Sequence, residues 1–255
     1  MIGKFDQKTV VITGGASGIG RACADAFARQ GAVVVIADIN HEAACETAHE
    51  LNGHAFELDV RDEHAVIAFA QQVEQEFKNV DVLVASAGIV QPPHRPEEFP
   101  MALFDDVLNI NFRGCFLTMR EMVRLMPSGS SIVSISSITA ERSMPLHAYA
   151  PQKAALSNLT MGLAAEWGPK GIRVNAVQPG FTKTPAIQKQ IELGHRDPEL
   201  LERNSTLGRM VEPEEIASAV CFLSSSDAAA ITGVSLPVDA GFLCAGSWFA
   251  YGGLR

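Results

Sequence analysis

Cysteine is scarce in this 255-residue chain and follows no pattern. Cys23, Cys45, Cys115, Cys221 and Cys244 are odd in number and show no C-x-x-C spacing. Neither a disulfide framework nor a zinc site is indicated, and no metal is expected. Scattered cysteines of this kind read as small buried hydrophobes in a reducing compartment. Basic clusters are missing too. Lys and Arg number 20 against 29 Asp and Glu, a formal charge of −9. Without clustered cations the chain has no footprint for a phosphate backbone. No apolar run reaches membrane-spanning length. The opening MIGKFDQKTVVITGG moves straight into a strand, with no leader-like apolar stretch. Nucleic acid and membrane are therefore not expected as partners, and the cytoplasm is the expected location.

What is present is a rhythm. Short β-branched runs recur at Thr9–Thr13, Ala32–Asp38, His54–Val60, Asp81–Ser86, Ser131–Ser137, Ile172–Gln178 and Val234–Val238. Several are apolar at nearly every position, as in strands covered on both faces. Helical periodicity fills the gaps at Arg21–Gln30, Ala65–Phe77, Leu103–Leu125 and Ala154–Trp167. Strands alternating with helices predict an α/β fold. It is a Rossmann-type, doubly wound, seven-stranded parallel sheet with helices on both faces. No linker or repeat divides it, so residues 1–255 read as one dinucleotide-binding domain. The polar stretch 181–210 breaks the rhythm and reads as a substrate lid of one or two short helices.

The first strand ends in Thr13-Gly14-Gly15-Ala16-Ser17-Gly18-Ile19-Gly20. Glycines there let the turn close and let backbone N–H groups approach a pyrophosphate at a helix N-terminus. Gly14, Ser17, Gly18, Ile19 and Gly20 are the expected contacts. Asp38 closes the second strand, where a carboxylate bonds ribose hydroxyls and repels a 2′-phosphate. That favours NAD over NADP. Asp59 and Val60, at the end of the third strand, are placed near the adenine. Asp59 could equally cap the next helix.

After the fifth strand stands Tyr149-Ala150-Pro151-Gln152-Lys153, a Y-x-x-x-K at the start of a helix. With the TGGASGIG run and the closing Val238-Asp239-Ala240-Gly241, the chain resembles the short-chain dehydrogenase/reductase family along almost its whole length. Tyr and Lys four apart share one helix face. An ammonium beside a phenol favours the phenolate and lowers its pKa. Tyr149 is thus expected to move a proton to or from a substrate oxygen as general acid/base. The resemblance implies that Lys153 also bonds the nicotinamide ribose. It places a substrate-holding Ser at the fifth strand's end, where Ser137 is favoured and Ser136 remains open. It implies that Asn111 binds a water in a proton relay from the Lys. It further implies that Ala87 and Gly88, the Pro179-Gly180 turn, and Thr182 and Thr184 face the cofactor.

The chain departs from the family pattern in three places. Ala85-Ser86-Ala87-Gly88 stands where N-N-A-G is common, Pro151 lies inside the Y-x-x-x-K, and Asp239-Ala240-Gly241 replaces D-G-G. Pro is tolerated in a first helical turn. The loops expected around the substrate carry Gln91, His94, Arg95, Glu141, Arg142, His147 and His195, a mix suited to a polyol, sugar or hydroxy acid. His147, two residues from Tyr149, is the leading specificity contact. The tail holds Phe242, Leu243, Trp248, Phe249 and Tyr251, which would bury on their own core or on a neighbouring subunit. A homotetramer is expected, as often in the family. The competing readings are a non-catalytic NAD-binding sensor or scaffold, and an epimerase or dehydratase on the same fold.

Overall fold

The computed structural model of the protein describes residues 3–245 and Trp248. Its strands are β1 (Thr9–Thr13), β2 (Val33–Asp38), β3 (His54–Glu57), β4 (Val82–Ala85), β5 (Ser131–Ile135), β6 (Arg173–Pro179) and β7 (Ser235–Val238). They form one sheet in the order β3-β2-β1-β4-β5-β6-β7, every pairing parallel. The expected doubly wound sheet is therefore what forms. The switch of direction between β1 and β4 opens a crevice at the strands' carboxyl ends.

Both faces of the sheet are covered, which explains the unbroken apolar runs. Successive side chains of a strand point to opposite faces. Val11 packs into one core cluster, while Val10 and Ile12 pack into the other. The Val11 side is covered by α3 (Glu63–Phe77), α5 (Cys115–Met122) and α6 (Tyr149–Trp167). The opposite side is covered by α1 (Gly18–Ala28), α2 (His41–Leu51) and α9 (Pro213–Ser224).

The helix expected over Leu103–Leu125 is interrupted. α4 (Met101–Leu108) passes through a π-helical turn at Asn109–Gly114 before α5 begins. A π turn carries one extra residue and rotates the helix face, so uniform periodicity does not hold across it. Gly114 lies in this turn because a Cβ there would stand 2.7 Å from Val60 Cγ2. The 181–210 stretch holds two short helices, α7 (Pro185–Glu192) and α8 (Pro198–Arg203). Thr184 and Asp197 cap them, accepting from the N–H groups of Ile187 and Glu199.

The tail packs on its own chain as far as residue 245. α10 (Phe242–Ala245) sets Phe242 edge-on to Phe181, with ring centroids 5.2 Å apart. Asp239 caps it, accepting from Gly241 and Leu243 N–H, both at 2.8 Å. Trp248 is exposed. Phe249 and Tyr251 lie outside the described residues.

Ala240 sits at φ 51°, a left-handed conformation that costs a Cβ-bearing residue about 1–2 kcal/mol. The D-A-G departure is therefore a strained one, not the mild change its chemistry suggests. Ala240→Gly is expected to raise stability by about 0.5–1 kcal/mol. The relief of strain exceeds the extra chain entropy of glycine in the unfolded state. A urea melt would record it as a higher midpoint at unchanged slope.

Candidate active site

A cleft of about 400 Å³ runs along the carboxyl edge of the sheet. One end is lined by Gly14, Ser17, Gly18, Ile19 and Gly20, with Asp38, Asp59 and Val60 beside them. The other end holds Gly88, Tyr149 and Lys153, and Ala87 and Thr184 line the cleft beside the glycine turn. Pro179, Gly180 and Thr182 are not among the lining residues. The Thr182 hydroxyl instead donates to Gly180 O at 3.0 Å, tying its own turn.

The glycine turn is shaped by close approach. A Cβ on Gly20 would stand 2.1 Å from Gly14 O, and one on Gly14 would stand 2.7 Å from Ala87 Cα. Gly18 has φ +53°, and a Cβ on it would stand 3.5 Å from Thr184 Cγ2. Ser17 precedes α1, yet its side chain accepts no hydrogen bond from the helix. The first turn's N–H groups therefore point into the cleft without a side-chain cap, as an anion site requires. The Asp38 carboxylate accepts from Ala16 N–H at 3.1 Å and Asn40 N–H at 3.0 Å, so it also holds the glycine turn in place. These residues fit a dinucleotide.

Asp59 is not a helix cap. Asp62 takes that role, accepting from His64 and Ala65 N–H. Asp59 instead accepts from the Arg61 guanidinium at 2.7 and 3.0 Å, and that hydrogen bond holds its carboxyl below the ordinary range. Arg61 itself lines the cleft, as does Ile39. Sequence reasoning passed over both; the signal was their adjacency to Val60 and Asp38.

At the other end, β5 delivers two serines to opposite sides. Ser136 turns to α6, its hydroxyl 2.9 Å from Lys153 O and 3.0 Å from Ser157 Oγ. The Ser137 hydroxyl acts on the Tyr149 phenol, favouring its ionised form, and accepts from Thr139 N–H at 3.2 Å. The Ser136 hydroxyl is thereby engaged with α6, while Ser137 is on the side of Tyr149.

α6 begins at Tyr149, and Ala148 before it has no capping side chain. Gln91 supplies the missing acceptor. Its Oε1 takes the N–H groups of Ala148 at 2.8 Å and Tyr149 at 2.9 Å. Gln91 is thus a buried brace for the helix start, where the sequence placed it among substrate contacts. His147 is exposed and does not line the cleft; His195 is exposed and bonded to Gln190.

Asn111, in the π turn, uses both ends of its amide on Ile89, accepting its N–H and donating to its O, each at 2.8 Å. This clamp holds the chain beyond β4, where the N-N-A-G side chains are absent. A Cβ on Gly88 would stand 3.1 Å from Asn111 Oδ1 and 3.9 Å from Lys153 Nζ, so Gly88 lets these two groups converge.

Burial dominates the electrostatics here. It lowers the Lys153 ammonium to about 8. Lys153 Nζ donates to Ile135 O at 2.7 Å and lies 5.4 Å from the Tyr149 ring centre. Burial also raises the Tyr149 phenol, and this corrects the expectation that the neighbouring ammonium would lower it. Ser137 and the Arg196 guanidinium offset part of the rise. Arg196 was not foreseen, since no motif marks it.

A family model described as enoyl-(acyl carrier protein) reductase matches residues 14–243. The chain belongs to the short-chain dehydrogenase/reductase family. It is an oxidoreductase acting on CH–OH groups, and the family binds a nicotinamide cofactor. A cis-4-hydroxycyclohexanecarboxylate dehydrogenase from Sinomonas cyclohexanicum is 37% identical, over 93% of this chain and 97% of its own. The D-threitol dehydrogenase of Mycolicibacterium smegmatis is 36% identical, over 94% of each. A solved structure described as ribose-5-phosphate isomerase from Brucella melitensis 16M superposes with a TM-score of 0.96, at 45% identity over the full length of both chains. Among the described residues no helix is long and apolar enough to cross a membrane, and no cluster of side chains could hold a metal ion.

Proposed function

We propose that the protein interconverts a secondary alcohol and its ketone, using NAD, with Tyr149 as the general acid/base. The observation that carries this reading is one cleft with the glycine turn and Asp38 at one end and Tyr149 and Lys153 at the other, with Ser137 acting on the Tyr149 phenol from beside it. Bound NAD would supply the hydride acceptor. Ser137 holds the substrate oxygen, and Tyr149 takes its proton in oxidation or gives one in reduction. Lys153 sets the field along the helix face and offers donors to a ribose. The side chain of Asn111 is committed to Ile89, so a water relay at this residue would start from its main-chain carbonyl.

Polyols, sugars and hydroxy acids are the favoured substrates. The named relatives act on a hydroxy acid and a polyol. An aldose–ketose isomerisation, suggested by the Brucella structure's description, needs no hydride carrier and leaves the dinucleotide-shaped end without a use. The exposed Phe116 and Met161 on α5 and α6 support a homotetramer, and the cytoplasm fits the free cysteines.

The test follows NADH absorbance over a panel of these three classes with NAD and NADP. Wild type should favour NAD. Asp38→Asn combined with Ile39→Arg keeps an acceptor for the glycine turn, removes the repulsive charge and adds a fork for a 2′-phosphate. The preference should move toward NADP by about 100-fold. Equal use of both cofactors by wild type would remove the role given to Asp38.

A further inference from the structure

Arg196 lies between α7 and α8, in the stretch read as a lid. Its Nε is fully buried and has no hydrogen-bond partner. The guanidinium rests over the Phe181 ring, 5.7 Å from its centre, and Phe181 is fixed in turn by Phe242. Burial lowers the guanidinium's pKa, and the only ionisable group that acts on its charge is Tyr149. The neighbouring carboxylates are engaged elsewhere. Glu192 accepts from Gln188, and Asp197 caps α8. Among the described residues no ion pair or hydrogen bond satisfies Arg196.

A half-buried cation without a partner is costly, and the cost is recovered only when an anion arrives. The guanidinium is planar, presents a fork of donors that matches carboxylate or phosphate oxygens, and is weakly hydrated. Stacking on Phe181 fixes its plane in advance, which reduces the ordering needed on binding. The guanidinium rests on Phe181, at the start of the same stretch whose Thr184 and Ala186 line the cleft, and its charge acts on the Tyr149 hydroxyl.

We propose that Arg196 binds an oxyanion, a carboxylate or a phosphate monoester, carried by the substrate beside its reacting carbinol. The proposal rests on the reading of Ser137 and Tyr149 as the reacting end. It narrows the substrate from polar alcohols in general to anionic ones. Arg196 then serves as a specificity residue.

The experiment pairs anionic probes with neutral partners. The pairs are 3-hydroxybutanoate with 1,3-butanediol, and glycerol 3-phosphate with glycerol. Each is titrated calorimetrically into wild type, Arg196→Gln and Arg196→Lys, with and without saturating NADH. Wild type should bind at least one anion about tenfold or more tighter than its neutral partner, and the tighter pair separates carboxylate from phosphate. Arg196→Gln should erase that difference while leaving NADH binding unchanged, and Arg196→Lys should restore part of it. The proposal is overturned if wild type binds neither anion better than its partner, or if Arg196→Gln keeps the preference. Loss of the oxidoreductase reading would register separately, as absent NADH binding and, with NAD⁺ added in place of NADH, no NADH formed from any bound probe.

Discussion

Tyr149→Phe should lower NADH formation by about 10³-fold while leaving NADH affinity as in wild type. The substitution removes one oxygen and nothing else. The ring still packs beside Lys153, and Gln91 still holds the helix start through the backbone. What disappears is the proposed proton donor and acceptor, and a positioned group of that kind is worth about 10²–10⁴ in rate. Its pH dependence should also be lopsided. Burial raises the phenol and brings the Lys153 ammonium down to about 8. Ketone reduction requires the neutral phenol and the charged ammonium, so its kcat/KM should be flat at lower pH and fall as pH rises through about 8. A Phe variant with more than a tenth of wild-type activity would remove Tyr149 from the chemistry.

Lys153→Met should separate activity from stability. Activity should fall by about 10²-fold or more, because the field and the ribose donors are lost together. Stability at neutral pH should rise. The folded-state pKa of about 8 lies below the unfolded value of 10.5, so at pH 7 the charged form is disfavoured by the fold. That penalty is of the order of 3 kcal/mol by linkage, and it fades as pH climbs from about 8 to 10.5. Wild type should therefore gain stability over that window while the Met variant does not. Paired urea melts at pH 7 and pH 10 would read both effects. A less stable Met variant at pH 7 would mean that the bond to Ile135 O outweighs the burial of the charge.

Much of this was legible in the residues. Strands covered on both faces announce themselves by unbroken Val and Ile, and the glycine turn and Y-x-x-x-K carry their own chemistry. α2 escaped because its buried face is Ala44, Thr47 and Ala48, too small and too polar to make a stripe. The π turn escaped because periodicity measures a regular helix and cannot register one inserted residue. Ser137 was favoured over Ser136 from the match at the strand's end, and the engagement of Ser136 with Lys153 O and Ser157 adds a reason visible only in the fold. Arg196 and Gln91 act through contacts that no local pattern encodes. The pull on the Tyr149 phenol was misjudged because spacing reports neighbours and says nothing of burial.

The brace at Gln91 sets a boundary for protein engineers. Its oxygen fastens Ala148 and Tyr149 from the far side of the cleft, so the loop after β4 serves two masters. Up to position 91 it is frame. Loop grafts aimed at new substrates should therefore be spliced after residue 91. A graft that begins one residue earlier would unfasten the general acid/base along with the loop it meant to exchange.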